Sequence, residues 1–396
     1  MLHFESFVLK IKIFIKPFSG YFYRDFKKET TYPLPETSNK KCHLILKDGR
    51  EYQGFSFGAD RSSAGEVVFN TAMTGYPESL TDPSYKGQIL VLTFPLIGNY
   101  GVPVIESVNG ILTSFESEKV HISGLIISDY SFQYSHWQAV RSLSDWLKEH
   151  DIPGIYGIDT RALTKHLREK GTMLGKIIKD GNDIDFYDPN KENLVALVSI
   201  PSTKIYGEGK IKVVLVDCGV KNNILRCLLD TGVTVIRVPW DHDFLKEEYD
   251  GIVVSNGPGD PEYCTTVIRN LKMALKQDKP VFGICLGNQL MALAGGGRTY
   301  KLKYGHRGYN QPVLQVGTQR AYITSQNHGF AIENDSLGKE WQPLFINLND
   351  GTNEGLQHRT KPFFSSQFHP EASGGPNDTR FLFDRFISLI HEHRKK

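Results

Sequence analysis

The stretch from Pro280 to Ala292 constrains the fold more than any other part of the sequence. Val281 to Ile284 is a short apolar run that predicts a buried strand, and Cys285 follows it directly. Gly287 and an apolar helical pattern come next. A cysteine in a tight turn between a strand and a helix has the layout of a nucleophile elbow, because the turn exposes the side chain and the helix N-terminus favours the thiolate. A small buried cysteine would give the same local pattern, so other segments have to decide.

From residue 211 onward, strand-like and helical segments alternate along the chain. Strand-like runs at 212–217, 234–238 and 251–255 precede the run that ends at Cys285. This alternation predicts a largely parallel sheet covered on both faces by helices. Ligands of such sheets bind beyond the carboxyl ends of the strands, which is where Cys285 falls.

Two further segments follow predicted strands and are therefore expected at the same edge. The loop Ser255–Pro261 carries glycines that can expose backbone N–H groups to an anion, and prolines that stiffen it. His369 and Glu371, separated by one proline, follow an apolar run and can bring a base and an orienting carboxylate together. Each segment alone is as compatible with an ordinary turn or with chance as with a site.

The residues before this alternation divide into three parts. Residues 1–41 predict an N-terminal extension, either disordered or a targeting segment. Residues 42–190 mix short alternating strands with helical patterns and predict a smaller mixed α/β domain. Residues 191–210 contain proline and glycines and predict a linker, which leaves 211–394 as the second domain.

Composition and missing motifs narrow the class of function. A formal net charge of +2 over 396 residues gives no reason to expect nucleic acid or an anionic membrane as partner, and no apolar run reaches membrane-spanning length. Five cysteines without C-x-x-C spacing indicate a reducing compartment and argue against a disulfide or zinc framework. The chain contains no P-loop or dinucleotide motif. His306 and His328 are interpreted as polar loop residues, and no metal site is predicted.

Three motifs occur in a fixed order at predicted strand ends: SNGPGDP at 255–261, GICLGNQ at 283–289 and QFHPEA at 367–372. Together they resemble the class I glutamine amidotransferases, which hydrolyse glutamine with a Cys-His-Glu triad. Further segments narrow the resemblance to the small, glutaminase subunit or domain of carbamoyl phosphate synthetase; these are GYPESLTDPSYKGQ at 75–88, GIDTRALT at 157–164, SQNHGF at 325–330 and GGPNDTRFLFD at 374–384. The resemblance covers about residues 42–394.

This resemblance implies roles for individual residues. Cys285 would be the nucleophile, His369 the general base and acid, and Glu371 the carboxylate that orients His369. The backbone N–H groups of Gly257 and Leu286 match the oxyanion-hole positions. The positions that match glutamine-binding residues are Ser84, Gly257, Gly259, Leu286, Gln289, Asn327, Gly329 and Phe330. Since Ser84 lies in the first domain, the pocket is expected at the domain interface.

The implied function is hydrolysis of glutamine to glutamate and ammonia through a cysteine thioester. The ammonia would supply carbamoyl phosphate synthesis from bicarbonate and ATP on a large synthetase partner, either a separate subunit or a fused domain. ATP and Mg are expected on that partner and no cofactor in this chain. Neither nucleic acid nor a membrane is expected as a partner.

Three alternatives stand beside this interpretation. The same triad also serves anthranilate, CTP and GMP synthesis, but the TDPSY segment at 81–85 argues against these enzymes because their glutaminases generally lack the first domain. A non-catalytic regulatory domain is disfavoured by the intact triad, and a cysteine peptidase by the glutamine-binding matches.

Asn288 stands where many relatives carry histidine, and we expect tuning rather than loss of activity. The expected compartment is the cytoplasm, with the mitochondrial matrix as the alternative, and pyrimidine and arginine biosynthesis both remain open.

Overall fold

The computed structural model of the protein describes residues 40–395. The predicted N-terminal extension, residues 1–41, lies outside the described residues except for Lys40 and Lys41. Within the described range no helix combines the length and the hydrophobicity needed to cross a bilayer.

The first domain is built from short strands, seven of which close into a barrel. The strands are β1 Lys41–Leu46, β2 Glu51–Gly58, β3 Ser63–Asn70, β4 Gln88–Leu92, β5 Leu96–Ile97, β6 Val102–Pro103, β7 Ser107–Val108, β8 Ile111–Leu112, β9 Gly124–Ile126, β10 Asp129–Tyr130, β11 Ala139–Arg141, β12 Pro153–Tyr156 and β13 Met173–Lys179. The barrel order is β1-β13-β3-β4-β9-β12-β2. In β1 every second side chain is buried, as expected for a strand with one face toward a core.

Three helices accompany the barrel: α1 Tyr76–Thr81, α2 Leu143–Glu149 and α3 Thr160–Lys170. The ends of α3 follow directly from its sequence. The Asp159 carboxylate accepts a hydrogen bond of 2.8 Å from the Ala162 N–H, and Gly171 ends the helix with φ of 99°. The turn after α1, residues Pro83–Tyr85, faces the second domain and becomes part of the site described below.

The second domain is organised around one ten-stranded sheet. Its strands are β14 Lys204–Tyr206, β15 Lys212–Asp217, β16 Thr234–Pro239, β17 Gly251–Val254, β18 Val281–Ile284, β19 Thr299–Gln315, β20 Ala321–Ile332, β21 Trp341–Asn347, β22 Asn353–His358 and β23 Phe363–Ser366. The helices of this half are α4 Val195–Val198, α5 Asn222–Leu229, α6 Thr265–Ala274, α7 Leu286–Ala294 and α8 Phe381–Arg394. The strand order is β14-β16-β15-β17-β18-β23-β22-β21-β19-β20.

The five central strands, β16-β15-β17-β18-β23, run parallel, which confirms the predicted parallel sheet; antiparallel strands extend it at both sides. Successive residues of the central strands enter opposite cores. Val213 and Leu215 pack in one core with α5 and α8, whereas Val214 and Val216 pack in the other with α6 and α7. Helices therefore cover both faces, and the carboxyl ends of the parallel strands form one edge.

The long hairpin of β19 and β20 reaches across to the barrel. The Thr71 N–H donates to the Arg307 carbonyl at 3.3 Å, and the Thr172 N–H donates to the Lys303 carbonyl at 2.8 Å. The interpretation of His306 and His328 as polar loop residues is wrong, because they lie opposite each other in this hairpin and are buried. A Gly- and Pro-bearing sequence thus forms a strand here because its partner strand and the barrel cover it.

Candidate active site

Cys285 occupies the sharp turn between β18 and α7. Its φ of 54° and ψ of −102° are unusual for a residue with a side chain, and such backbone strain is typical of functional turns. The Cys285 N–H donates to the Ser366 carbonyl at 2.8 Å, which ties the turn to β23. Gly287 lets α7 approach the sheet, since a Cβ there would lie 2.1 Å from the Val254 carbonyl oxygen. The predicted strand–cysteine–helix elbow is present.

Two backbone N–H groups beside Cys285 are uncommitted. Within residues 40–395 neither the Gly257 N–H nor the Leu286 N–H has a hydrogen-bond acceptor. Leu286 begins α7, where the first N–H groups lack intrahelical partners. A Cβ at Gly257 would lie 2.1 Å from the Cys218 carbonyl oxygen, so only glycine lets this loop sit so close. Free N–H groups next to a nucleophile are the arrangement that an oxyanion hole requires.

His369 and Glu371 form a buried pair held by a lysine that sequence reasoning missed. His369 Nδ1 lies 2.6 Å from Glu371 Oε1, and Lys221 Nζ donates to the same carboxylate oxygen at 3.0 Å and to the Ala372 carbonyl at 2.7 Å. The His369 N–H donates to the Ser325 carbonyl at 2.9 Å, which fixes the backbone. The sequence feature that could have identified Lys221 as part of the site is its position just after β15, at the carboxyl edge of the sheet.

Glu371 carries the negative charge that stabilises the cations on both sides of it, Lys221 and His369. Burial lowers the pKa of His369, but the Glu371 carboxylate outweighs it and holds that pKa above its ordinary value; the Cys285 thiol also raises it. Burial raises the pKa of Glu371, yet Lys221 and then His369 bring it below its ordinary value. His369 Nε2 is buried and has no hydrogen-bond partner among the described residues. A ring nitrogen left free in this way can exchange a proton with a nucleophile or a leaving group beside it.

All predicted glutamine-binding residues line one cavity of about 580 Å³ together with Cys285. These residues are Ser84, Gly257, Gly259, Leu286, Gln289, Asn327, Gly329 and Phe330. The Gln289 Nε2 donates to the Phe330 carbonyl at 2.9 Å and to Gln367 Oε1 at 3.1 Å, so its Oε1 is left as an acceptor. The structure brings the residues together, and their individual roles stay predictions.

The first domain contributes Ser84 to the wall of this cavity, and Asp82 lies in the same turn. Ser84 Oγ accepts a hydrogen bond of 2.9 Å from Asn256, and Asp82 Oδ2 accepts one of 2.9 Å from Asn327. Asp82 also accepts the Ser84 N–H at 2.9 Å, which shapes the turn itself. The first domain therefore positions two loops of the second.

Asn288, the departure from the common histidine, lies outside the cavity and is fully buried. Its Nδ2 donates to Gln367 Oε1 at 2.9 Å, and its Oδ1 accepts from Ser365 Oγ at 2.7 Å. Because Gln367 also accepts from Gln289, Asn288 acts on the cavity only through this network. The predicted tuning effect has this physical route.

A second cavity of about 320 Å³ adjoins His369. His369 and Asn327 line it together with Lys221, Tyr309 and Glu78. Burial raises the pKa of Glu78 to about 6. The imidazole of His369 thus lines this second, polar cavity, whereas Cys285 lines the first.

One group in residues 40–395 has the side chains and spacing that could hold a metal ion: His306, His328 and Glu354. Its members are already engaged with each other and with neighbours. His306 Nε2 lies 2.8 Å from Asp350 and its Nδ1 lies 3.2 Å from Glu354, while His328 Nδ1 lies 2.9 Å from the Phe330 carbonyl. Both histidines are engaged by hydrogen bonds and ion pairs, so although Glu354 Oε2 has no hydrogen-bond partner among the described residues, we assign the group no metal.

Two family models match the chain. "Carbamoyl-phosphate synthase small chain, CPSase domain" matches residues 44–177, and "Glutamine amidotransferase class-I" matches residues 214–389. Of the solved structures, a glutamine amidotransferase from Thermotoga maritima aligns with a TM-score of 0.36 at 17% identity, covering 48% of this chain and 87% of that chain.

Curated relatives are much longer than this chain. The human "Carbamoyl-phosphate synthase (ammonia), mitochondrial" is 52% identical over 354 residues, covering 88% of this chain and 24% of that protein. The "Multifunctional protein CAD" of Squalus acanthias is 54% identical over 356 residues, covering 88% of this chain and 16% of that protein. The chain thus spans about a quarter or less of these relatives. It contains a carbamoyl-phosphate synthase small-chain domain followed by a class-I glutamine amidotransferase domain.

Proposed function

We propose that this chain hydrolyses glutamine and supplies the ammonia for carbamoyl phosphate synthesis. The observation that carries the proposal is the convergence at one cavity of Cys285, two uncommitted N–H donors and the residues matched to glutamine binding. His369, with its free Nε2, adjoins the cysteine. Each of these is needed for attack on an unactivated amide.

The first half-reaction forms a thioester. The Cys285 thiolate attacks the side-chain amide carbon of glutamine, and the resulting oxyanion accepts hydrogen bonds from the Gly257 and Leu286 N–H groups. A preorganised donor of this kind is worth about 3–4 kcal/mol of transition-state stabilisation. His369 Nε2 gives its proton to the leaving nitrogen, the C–N bond breaks, and ammonia departs from a γ-glutamyl thioester.

The second half-reaction returns the enzyme to its starting state. Neutral His369 takes a proton from water, which attacks the thioester carbonyl in the same oxyanion site. The C–S bond breaks, glutamate leaves, and the thiolate–imidazolium pair is restored. Glu371, held by Lys221, keeps the ring oriented and stabilises its protonated form throughout.

The ammonia is consumed on a large synthetase portion, as a separate subunit or a fused continuation of the chain. There, glutamine-derived ammonia, bicarbonate and two ATP give carbamoyl phosphate, two ADP and phosphate, with ATP and Mg bound by that portion. The ammonia has to be kept from bulk water on the way, because water would protonate it. The proposed compartment is the cytoplasm, with the mitochondrial matrix as the alternative.

A second candidate is a retained, non-catalytic domain. It is favoured by one observation, that the name of a 52% identical relative specifies ammonia. The two candidates differ in glutamate release by purified protein, measured for wild type and Cys285→Ser with and without a large synthetase partner. Release that requires Cys285 and rises with partner supports the glutaminase. Wild type that is inactive with partner, ATP and bicarbonate supports the retained domain.

A further inference from the structure

Glu116 is an acid of the first domain that is fully buried against the second. Its carboxylate reaches α5, where Oε1 lies 3.2 Å from Arg226 Nη2 and Oε2 accepts the Asn223 N–H at 3.1 Å. The Glu116 carbonyl accepts the Asn222 N–H at 2.8 Å. The first N–H groups of a helix lack partners within the helix, so an acid placed there fixes its first turn.

The segment that carries Glu116 is anchored in both domains. Ile111 lies in the core that also contains Ile224 of α5. Phe115 lies in a core of the first domain, where its ring centroid is 5.5 Å from that of Trp146. The first domain therefore sets the position of Glu116, and Glu116 sets that of the helix start.

The first turn of α5 also holds the His369–Glu371 pair. Asn223 is the direct link, because its backbone N–H donates to Glu116 and its side-chain Nδ2 donates to the Glu371 carbonyl. Lys221, which precedes the helix, donates to Glu371 Oε1 at 3.0 Å. Glu371 is thus held at two points by a turn that Glu116 holds from the other side.

The charge of Glu116 supports the same arrangement. Burial lowers the pKa of Lys221, but Glu371 and then Glu116 outweigh burial and hold that pKa above its ordinary value. An ionised group without a partner is costly in a protein interior, so a buried lysine stays charged only beside such acids. Glu116 therefore helps to keep the cation that Glu371 contacts.

We propose that Glu116 is a positioning residue for the proposed reaction. Through Asn223 it holds Glu371, and thereby the ring of His369, in the orientation that proton transfer needs. Glu116 lines neither of the two cavities described above, so its substitution should slow turnover and leave substrate binding intact. This inference rests on the proposed glutaminase function and adds a residue of the first domain to the control of its reaction.

The first test separates kcat from KM. Glu116→Gln keeps the size of the side chain but removes its charge, and we expect kcat for glutamine to fall about 10-fold while KM stays within about twofold. Arg168→Met is the matched control, because the Arg168 guanidinium contacts the Tyr304 ring across the same two domains, 5.5 Å from its centroid, but lies outside the network of α5. An equal loss of kcat in Arg168→Met, or wild-type kcat in Glu116→Gln, would overturn the proposal.

A double-substitution cycle tests the route. Asn223→Ala removes the amide that reaches Glu371 but keeps the backbone N–H. If Glu116 acts through Asn223, Glu116→Gln should lower kcat of the Asn223→Ala protein by less than about twofold, whereas losses that multiply in full would contradict this route. Where Glu116→Gln does not fold, Asn223→Ala alone should show a lower kcat at unchanged KM, and wild-type kcat would overturn the proposal.

Nuclear magnetic resonance of the histidine rings separates this inference from the proposed reaction. The His369 signal is assigned by its loss in His369→Asn. Burial lowers the pKa of His369 and Glu371 raises it above the ordinary value, so a carboxylate that is held less firmly should lower it. In Glu116→Gln the pKa of His369 should therefore fall, and that of His306 should not change. This result supports the positioning role even if wild type releases no glutamate, whereas an unchanged His369 pKa would rule the role out.

Discussion

Two buried histidine–glutamate groups lie in the second domain, and only one of them is arranged for chemistry. In the first, His369 uses Nδ1 to contact Glu371 and leaves Nε2 without a partner among the described residues. In the second, both ring nitrogens of His306 are engaged, one by Glu354 and one by Asp350. The residue types are the same. An uncommitted atom at a cavity, rather than the presence of histidine and glutamate, marks the reactive group.

The electrostatic surroundings of the two glutamates differ in the same way. Lys221 lowers the pKa of Glu371 despite complete burial, so this carboxylate stays charged and can hold an imidazolium. Glu354 has no lysine partner within residues 40–395, and burial raises its pKa, although hydrogen bonds from His306 and Asn347 oppose that effect. In the second group both ring nitrogens of His306 face carboxylates, so neither is free to transfer a proton to a ligand. Its role is to hold β19, β20 and β22 together.

The largest expected effect comes from matched substitutions in the two groups. His369→Asn should lower the rate of glutamate release by about 10³-fold or more, because both proton transfers lose their carrier. His306→Asn should leave the rate close to that of wild type, because the ring touches no reacting atom. Initial rates of glutamate formation with saturating glutamine measure both. Similar losses in the two variants would contradict the distinction.

Lys221→Met tests the feature that sets the first group apart. Removing the cation leaves Glu371 buried beside His369 alone, so the carboxylate holds the ring less firmly. We expect kcat to fall about 10- to 100-fold, the size of effect that small misplacements of catalytic groups produce. Lys212→Met, which removes an exposed cation that pairs with Glu248 and lines neither cavity, is the control and should act weakly. A Lys221→Met enzyme with wild-type kcat would show that Glu371 needs no second cation.

Glu354→Gln tests the structural role of the second group. The substitution keeps the shape of the side chain but removes the carboxylate that faces His306. When a buried polar network loses one hydrogen-bond partner, the free energy of unfolding of the protein falls by about 1–3 kcal/mol. Denaturant unfolding measures this loss, and glutamate release under native conditions should stay near wild type. Lower activity without lower stability would place this group in the reaction instead.

The edge of the sheet where the chemistry lies could be predicted from sequence, because parallel strands bring their carboxyl ends together. Cys285 and His369 each follow a strand, and the motif resemblance added Ser84 from the other domain. Lys221 belongs to the same edge, but no local pattern separates it from an ordinary lysine.

Arg307 and His306 show what sequence could not provide. Their side chains alternate between the cavity and the second histidine group, and which one faces inward depends on the register of β19 with β20. That register shifts twice, between Lys301 and His306 and between Gly308 and Gln311. Simple alternation along the sequence therefore no longer predicts which side chains face the cavity. The packing of the barrel against this hairpin sets the register of β19 with β20.

Glu78 is a third acid near the first group and can be compared with Glu371 and Glu354. Unlike them, it forms no ion pair within residues 40–395. Burial raises its pKa from 4.5 to about 6, so between these pH values the folded protein binds more protons than the unfolded chain. The free energy of unfolding should therefore fall by at most about 2 kcal/mol as the pH rises through this window. Glu78→Gln removes the titration, so the stability difference between wild type and variant should change by that amount between pH 4 and pH 7. Parallel stability curves for the two proteins would mean that Glu78 is as well solvated as a surface acid, and that burial alone does not distinguish the acids around this cavity.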